Sequence, residues 1–255
     1  MNEIKFLGTA GARFVVTKQM RKSGGLWLNL ENTNILIDPG PGSLVRCLNS
    51  KPKLIPNELN GIILTHRHID HSNDINIMIE AMTNGGFNKK GIVFAPKDSL
   101  ENDPVILKYI RNYVEKIEIL EGGKTYTIGN IKFETPIKHI HGVETYGLNI
   151  YGGKFQISLI TDTKYFDGLE KYYKGDVLIL NVVLLKNNDN IMHLSIKDIE
   201  KIIKINKPKL SIITHFGTTI IRNKPWEIAN DLSNKTNEKV IAASDGMSVK
   251  INDYI

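Results

Sequence analysis

The chain's seven histidines are His66, His68, His71, His139, His141, His193 and His215, and most of them fall just beyond a segment with strand character. The densest group is Thr65-His66-Arg67-His68-Ile69-Asp70-His71, which places three imidazoles and a carboxylate within six positions. Imidazole with carboxylate is a donor set for divalent cations. On a loop leaving a buried strand, His66 and His68 can point at one ion while Asp70 and His71 turn toward a second. Two cations held side by side repel each other, so an anionic bridge is needed. Asp162, directly after the apolar run 157–161, sits where a second strand would deliver it, and His215 ends the run Leu210–Thr214 in the same manner. A single histidine is more often a surface or hydrogen-bonded residue. Four donors inside six positions, followed by further strand-end candidates, is a pattern that chance rarely makes.

The elements that would position these donors can be read from periodicity. Residues 4–7 form an opening strand, and residues 8–25 a polar loop. Residues 25–38 form a hairpin turning at Glu31-Asn32-Thr33-Asn34. A short helix through Leu44–Leu48 is favoured at its start by Ser43. The run 61–65 is a buried strand ending at His66. A helix follows over 73–82, where Ile75, Met78, Ile79 and Met82 recur at helical spacing and Gly85-Gly86 stops it. After a strand at 92–95, a helix is expected near 105–113. The middle is strand-rich, at 116–120, 124–128, 131–137, 148–151 and 155–161, with glycine-bearing hairpin turns between the runs. The second half alternates strands at 177–184, 210–214 and 240–243 with helices at 195–205 and 226–236. Two mixed sheets covered outside by helices satisfy this pattern.

Composition bounds the class. The 255 residues carry 33 Lys+Arg against 27 Asp+Glu, a formal charge of +6, with 41% hydrophobic and 24% charged residues, which excludes global disorder. One domain over 1–255 is expected. No apolar run approaches the length of a membrane span, and the start enters a strand and not a signal-peptide apolar region, so a cytoplasmic protein is expected. The lone Cys47 makes no internal disulfide and lacks companions for a thiolate zinc site. Any metal must therefore be held by His and carboxylate.

The motifs together resemble the metallo-beta-lactamase superfamily, in the branch that contains ribonuclease Z and the cyclic phosphodiesterases of the phosphonate-degradation type. The resemblance rests on His66-x-His68-x-Asp70-His71, the glycine-rich Gly8–Gly11, the hairpin end Ile37-Asp38-Pro39-Gly40, Thr161-Asp162-Thr163 and Thr214-His215-Phe216-Gly217. It implies an α+β fold, a four-layer αββα sandwich. It also implies that His66, His68 and His141 hold one metal, that Asp70, His71 and His215 hold the other, and that Asp162 bridges. His139, two positions before His141, is the competing third ligand of the first site. The branch's His-Leu-Ser element matches Met192-His193-Leu194-Ser195, which makes His193 a non-ligand group beside the scissile phosphate, against a plain helix-start histidine; Ser195 itself reads as a helix cap. Asp38 is expected to orient a metal-binding histidine, and Gly8 and Gly11 to permit close backbone approach.

The expected reaction is hydrolysis by a metal-bound hydroxide, with Asp70 orienting it or taking its proton and His193 assisting at a phosphoryl oxygen. Zinc is the first expectation for the two divalent ions, with manganese and iron as alternatives. The substrate read from the His193 element and the basic loop Lys18, Arg21, Lys22 is a small or cyclic phosphodiester. A tRNA 3'-processing endoribonuclease, a lactone or thioester hydrolase, and a non-catalytic nucleic-acid binder are the alternatives, although Phe14, Trp27 and Trp226 form no aromatic-basic platform. The partner is thus a small phosphodiester or RNA, with no membrane. A homodimer is compatible with the resemblance, but no periodic pattern marks an interface.

Overall fold

Runs such as Ile35-Leu36-Ile37 and Val177–Leu180 bury every residue, as strands do only when both faces of their sheet are covered. The computed structural model describes residues 2–255. Its strands are β1 (Glu3–Phe6), β2 (Leu26–Leu30), β3 (Thr33–Ile37), β4 (Gly61–Ile63), β5 (Ile92–Ala95), β6 (Lys116–Ile119) and β7 (Lys124–Ile128). Then come β8 (Ile131–Thr135), β9 (Leu148–Tyr151), β10 (Gln156–Ile160), β11 (Val177–Asn181), β12 (Leu210–Thr214), β13 (Val240–Ala242) and β14 (Ser248–Lys250). The helices are α1 (Ala12–Thr17), α2 (Ser43–Leu48), α3 (Ile69–Ser72), α4 (Ile75–Met82), α5 (Ile196–Asn206), α6 (Thr218–Arg222) and α7 (Pro225–Thr236).

The strands form two seven-stranded sheets, ordered β14-β1-β2-β3-β4-β5-β6 and β13-β12-β11-β10-β9-β8-β7. Each sheet is antiparallel in one part and parallel in the other: β3 through β6 are parallel in the first, β10 through β13 in the second. Alternation sorts the side chains. Ile35 and Ile37 join Ile157, Ile179 and Phe133 in the core between the sheets. Leu36, Ile62 and Val93 meet Ile75, Met78, Ile79 and Met82 of α4 on one outer face, and Leu178, Leu180 and Ile213 meet α5 and α7 on the other. The architecture is the expected αββα sandwich.

Several local expectations are corrected. Helix α1 lies inside the segment whose composition suggests a polar loop, and α3, α6 and β14 are elements that periodicity does not announce. Gly42 caps α2, while the Ser43 hydroxyl donates to the Gly40 carbonyl at 2.8 Å. The helix expected near 105–113 is a tight 3-10 segment over Lys108–Tyr113. Ser195 does cap α5, in a reciprocal capping box with Asp198. Cys47 is free and buried.

Candidate metal centre

The donors arrive at one edge of the sandwich because their strands all end there. β4 runs out through Thr65 and His66, and His68 leads into α3, which carries Asp70 and His71. From the second sheet, β8 leads to His139 and His141, β10 to Asp162 and β12 to His215. Ligand groups outside the carboxyl ends of parallel strands are the usual consequence of such topology.

Four overlapping donor groups result among the described residues: His66 with His68 and His141, Asp70 with His71 and His215, Asp38 with His66 and His71, and His141 with Asp162 and His193; the first two are the clusters that the resemblance implies. His141 Nε2 lies 3.0 Å from His68 Nδ1, and His71 Nε2 lies 2.9 Å from His215 Nε2. Asp70 Oδ2 is 3.5 Å from His215 Nε2 and 3.8 Å from His71 Nε2. Asp162 lies between the clusters, its Oδ2 3.8 Å from His66 Nε2, 3.5 Å from His71 Nε2 and 3.9 Å from His141 Nε2. Donors about 2.1 Å from a tetrahedral ion lie roughly 3.4 Å from one another. The spacing therefore suits two ions sharing one carboxylate.

Hydrogen bonding orients the imidazoles so that Nε2 of His66, His71 and His141 faces inward. Asp38 can only accept, and it receives the Thr65 amide and hydroxyl, both at 2.7 Å, and His71 Nδ1 at 2.9 Å. With its proton given to Asp38, the Thr65 hydroxyl must accept from His66 Nδ1, 3.1 Å away. His141 Nδ1 likewise donates to the Met192 carbonyl at 3.0 Å. The Nε2 atoms of His66 and His141 are thereby left as acceptors aimed at the cluster, and His71 turns its Nε2 the same way. His66 Nε2 is buried without any partner. An orphaned acceptor there costs stability unless a cation meets it, so the residues present fit the divalent ions. Asp38, with both oxygens engaged, orients His71 and, through Thr65, His66.

Electrostatics supports the same conclusion. Burial alone would raise Asp162, yet His215, His193 and His71 hold it well below the usual carboxylate range. Burial opposes charge on His71, but Asp70, Asp162 and Asp38 outweigh it and push its pKa well above the ordinary imidazole value. Three carboxylates around one imidazole demand positive charge, and cation binding would displace that proton. Burial lowers His66 and His68, keeping them neutral and ready to ligate.

Asn181, at the end of β11, was missed in the sequence. Its amide donates to Asp162 Oδ1 at 2.9 Å and to the Thr161 hydroxyl at 3.3 Å, fixing the carboxylate so that Oδ2 faces the histidines. The available signal was a lone amide inside an otherwise apolar run, where a buried polar group must find a partner.

His139 stands apart. Its Nδ1 donates to the Asp162 carbonyl at 3.2 Å, and its Nε2 accepts from the Tyr173 hydroxyl at 2.6 Å, so neither nitrogen is free for an ion. Replacing His141 by alanine is expected to remove about one of the two ions per chain, and replacing His139 to leave both, by elemental analysis of folded protein. Equal losses would reject the distinction.

Burial also pushes His139 down to about 4. Between pH 6.5 and 4 the unfolded chain takes up a proton that the folded chain refuses, so stability falls as pH drops through that window and His139 contributes no further loss below it. The parent stripped of metal should lose about 3 kcal/mol more than His139→Asn across this range in urea unfolding. Parallel curves would remove His139 from the acid response.

An open cleft of about 670 Å³ leads to the centre, lined by His68, Asp70, Asp162 and His193 below and by α1, Ile69, Val183 and Ile191 around. His193 Nδ1 lies 3.6 Å from Asp162 Oδ2, and burial lowers its pKa to about 4. Burial likewise disfavours charge on Asp70, but His71 and His215 hold it below the carboxylate range. A Cβ on Gly11 would collide with the His215 carbonyl and crowd its Nδ1, which explains the glycine. His215 itself adopts a left-handed backbone, φ 58°, a conformation non-glycine residues hold at a cost when surrounding contacts impose it. The basic loop expected to meet phosphate does not line the cleft: Lys22 lines a separate pocket and Lys18 and Arg21 line neither, while the cation on the cleft wall is Arg13 of α1, which the sequence pattern does not single out.

Comparison with known proteins agrees with this geometry. A curated relative, Uncharacterized protein MJ1374 of Methanocaldococcus jannaschii, is 30% identical over 263 residues, covering 98% of this chain and 95% of its own. The metallo-beta-lactamase fold protein YhfI from Bacillus subtilis superposes with a TM-score of 0.79 at 18% identity, over 97% of this chain and 98% of that one. A diphosphatase from the PhnP family superposes with a TM-score of 0.71 at 19% identity, over 97% and 96%. A family model described as the Beta-lactamase superfamily domain matches residues 33–216. With that match added to the two-sheet sandwich and its paired His/Asp clusters, the chain belongs to the metallo-beta-lactamase superfamily.

Proposed function

We propose that the protein is a dinuclear metal-dependent hydrolase of small or cyclic phosphodiesters. The observation that carries the reading is the position of His193 and Asp70 at the floor of the cleft, beside Asp162 and the buried, inward-facing imidazoles. In this assignment His66, His68 and His141 hold one ion, Asp70, His71 and His215 the other, and Asp162 both. Bound divalent ions supply Lewis acidity and a water of lowered pKa. Asp70, kept ionised by its imidazole neighbours, would help hold an ion and offer an acceptor to the attacking water. His193, neutral at pH 7, donates an N–H to a phosphoryl oxygen as negative charge grows there. Arg13, the cation on the cleft wall, meets the substrate's remaining anionic charge. The PhnP-family relative is a diphosphatase, which favours a phosphorus centre over a carbonyl.

Zinc is the proposed resident metal, because five of the seven donors are imidazoles. The chain acts as a single domain. No helix among the described residues is long and apolar enough to cross a membrane. A cytoplasmic setting is proposed from the single unpaired, buried thiol. The deciding experiment is a parallel hydrolysis screen of cyclic and linear phosphodiesters, precursor tRNA, thioesters and lactones with protein of measured metal content. Fastest turnover of a small phosphodiester is expected. A lactone or thioester cleaved far faster would overturn the substrate class, and preference for precursor tRNA would replace it with a ribonucleolytic one.

A further inference from the structure

We propose that a pocket of about 210 Å³, lined by Lys5, Lys22, Arg46, Asn49, Lys51 and Gly246, is a binding site for a phosphate group, separate from the metal centre. It shares no lining residue with the cleft or with the clusters of candidate ligands. Four cationic residues line it and no acidic one does.

These cations lack the partners that such groups normally find. None of the ion pairs made by lysine or arginine among the described residues involves Lys5, Lys22, Arg46 or Lys51. Lys5 is only 6% exposed, although lysine is rarely buried without a counter-charge. Its ammonium donates to the Lys51 carbonyl at 3.1 Å and the Ser248 hydroxyl at 3.2 Å, both neutral, and keeps a third proton. Arg46 Nε is buried with no partner at all. Asp245, next to Gly246, spends Oδ1 on the Thr9 amide and hydroxyl and Oδ2 on the Lys22 amide, at 2.7–2.9 Å. Buried charged donors without acceptors are costly, and like charges around one cavity add repulsion. A compact oxyanion with several acceptor atoms removes both penalties, and the guanidinium fork favours phosphate.

The phosphate can be a free metabolite's or a polynucleotide backbone's, and one footprint separates these sources. Lysine acetylation is read residue by residue in the metal-loaded protein at constant ionic strength, with inorganic pyrophosphate or a short single-stranded RNA as probe. Pyrophosphate or RNA should slow labelling of Lys22 and Lys51 by about threefold or more, and leave the exposed Lys108 and Lys197 unchanged. Protection by RNA at lower concentration assigns the site to a polymer backbone; protection by pyrophosphate alone assigns it to a soluble phosphate compound. Arg46→Gln should abolish the protection of both lysines, and Lys51→Gln, at an exposed position, should weaken that of Lys22 with the fold intact. Protection that is absent, equal at Lys108 and Lys197, or retained in both variants would overturn the proposal.

Discussion

Asp162→Asn is expected to reduce phosphodiester turnover by on the order of a thousandfold and to drop bound metal from about two ions per chain to one or fewer. The amide keeps nearly the same shape and can still accept from Asn181, so the change is one of charge. Among the described residues that charge is the only anion within 4 Å of imidazoles from both clusters: Oδ2 approaches His66, His71 and His141, and Oδ1 lies 3.5 Å from His215 Nδ1. Without it, two divalent ions would face each other across a neutral group in a buried site. Elemental analysis beside kcat, with a thermal scan to establish folding, gives the answer. Two retained ions and activity within about tenfold of the parent would refute the bridging assignment.

His193→Ala is expected to lower kcat by roughly 10²- to 10³-fold while metal content stays at the parent's level. The depressed pKa decides which kind of help His193 gives. An imidazole that burial holds to about 4 is neutral at pH 7 and donates a hydrogen bond, not a proton. The deficit should therefore be similar for a nitrophenyl and an alkyl leaving group, and the parent's pH profile should show no His193 limb between pH 5 and 8. A deficit confined to the poor leaving group would make His193 a general acid. Loss of metal would make it a ligand, since it also lies in a cluster with His141 and Asp162. Unchanged kinetics would leave it a structural role.

The site was legible in the sequence to the extent that chemistry is concentrated at strand ends. His66, Asp162 and His215 each follow a run whose apolar pattern identifies a buried strand, so their convergence followed from topology. The partners that fix them were less visible. Thr65 reads as the last residue of a strand, and Asn181 is hidden because the apolar pattern continues to Leu184, whereas β11 ends at Asn181. Their roles depend on hydrogen bonds between residues 27 and 19 positions apart. Helix α1 escapes notice for a local reason: six residues make too few turns for a 3.6-residue period to emerge, and its cap position, Gly11, carries no capping side chain. The choice of His141 over His139 has no signal in composition, because both rings meet a carbonyl through Nδ1 and what separates them is the Nε2 partner, the Tyr173 hydroxyl for His139 and the donor cluster for His141.

Each proposed ion takes donors from both sheets: His66 and His68 face His141 across the interface, and Asp70 and His71 face His215 and Asp162. Every occupied position is then a staple between the layers, and unfolding must open it. At free-ion concentrations about a hundredfold above its dissociation constant, each would add about 2.7 kcal/mol to the folded state. Ion supply would thus govern how long the molecule lasts as well as how fast it turns over.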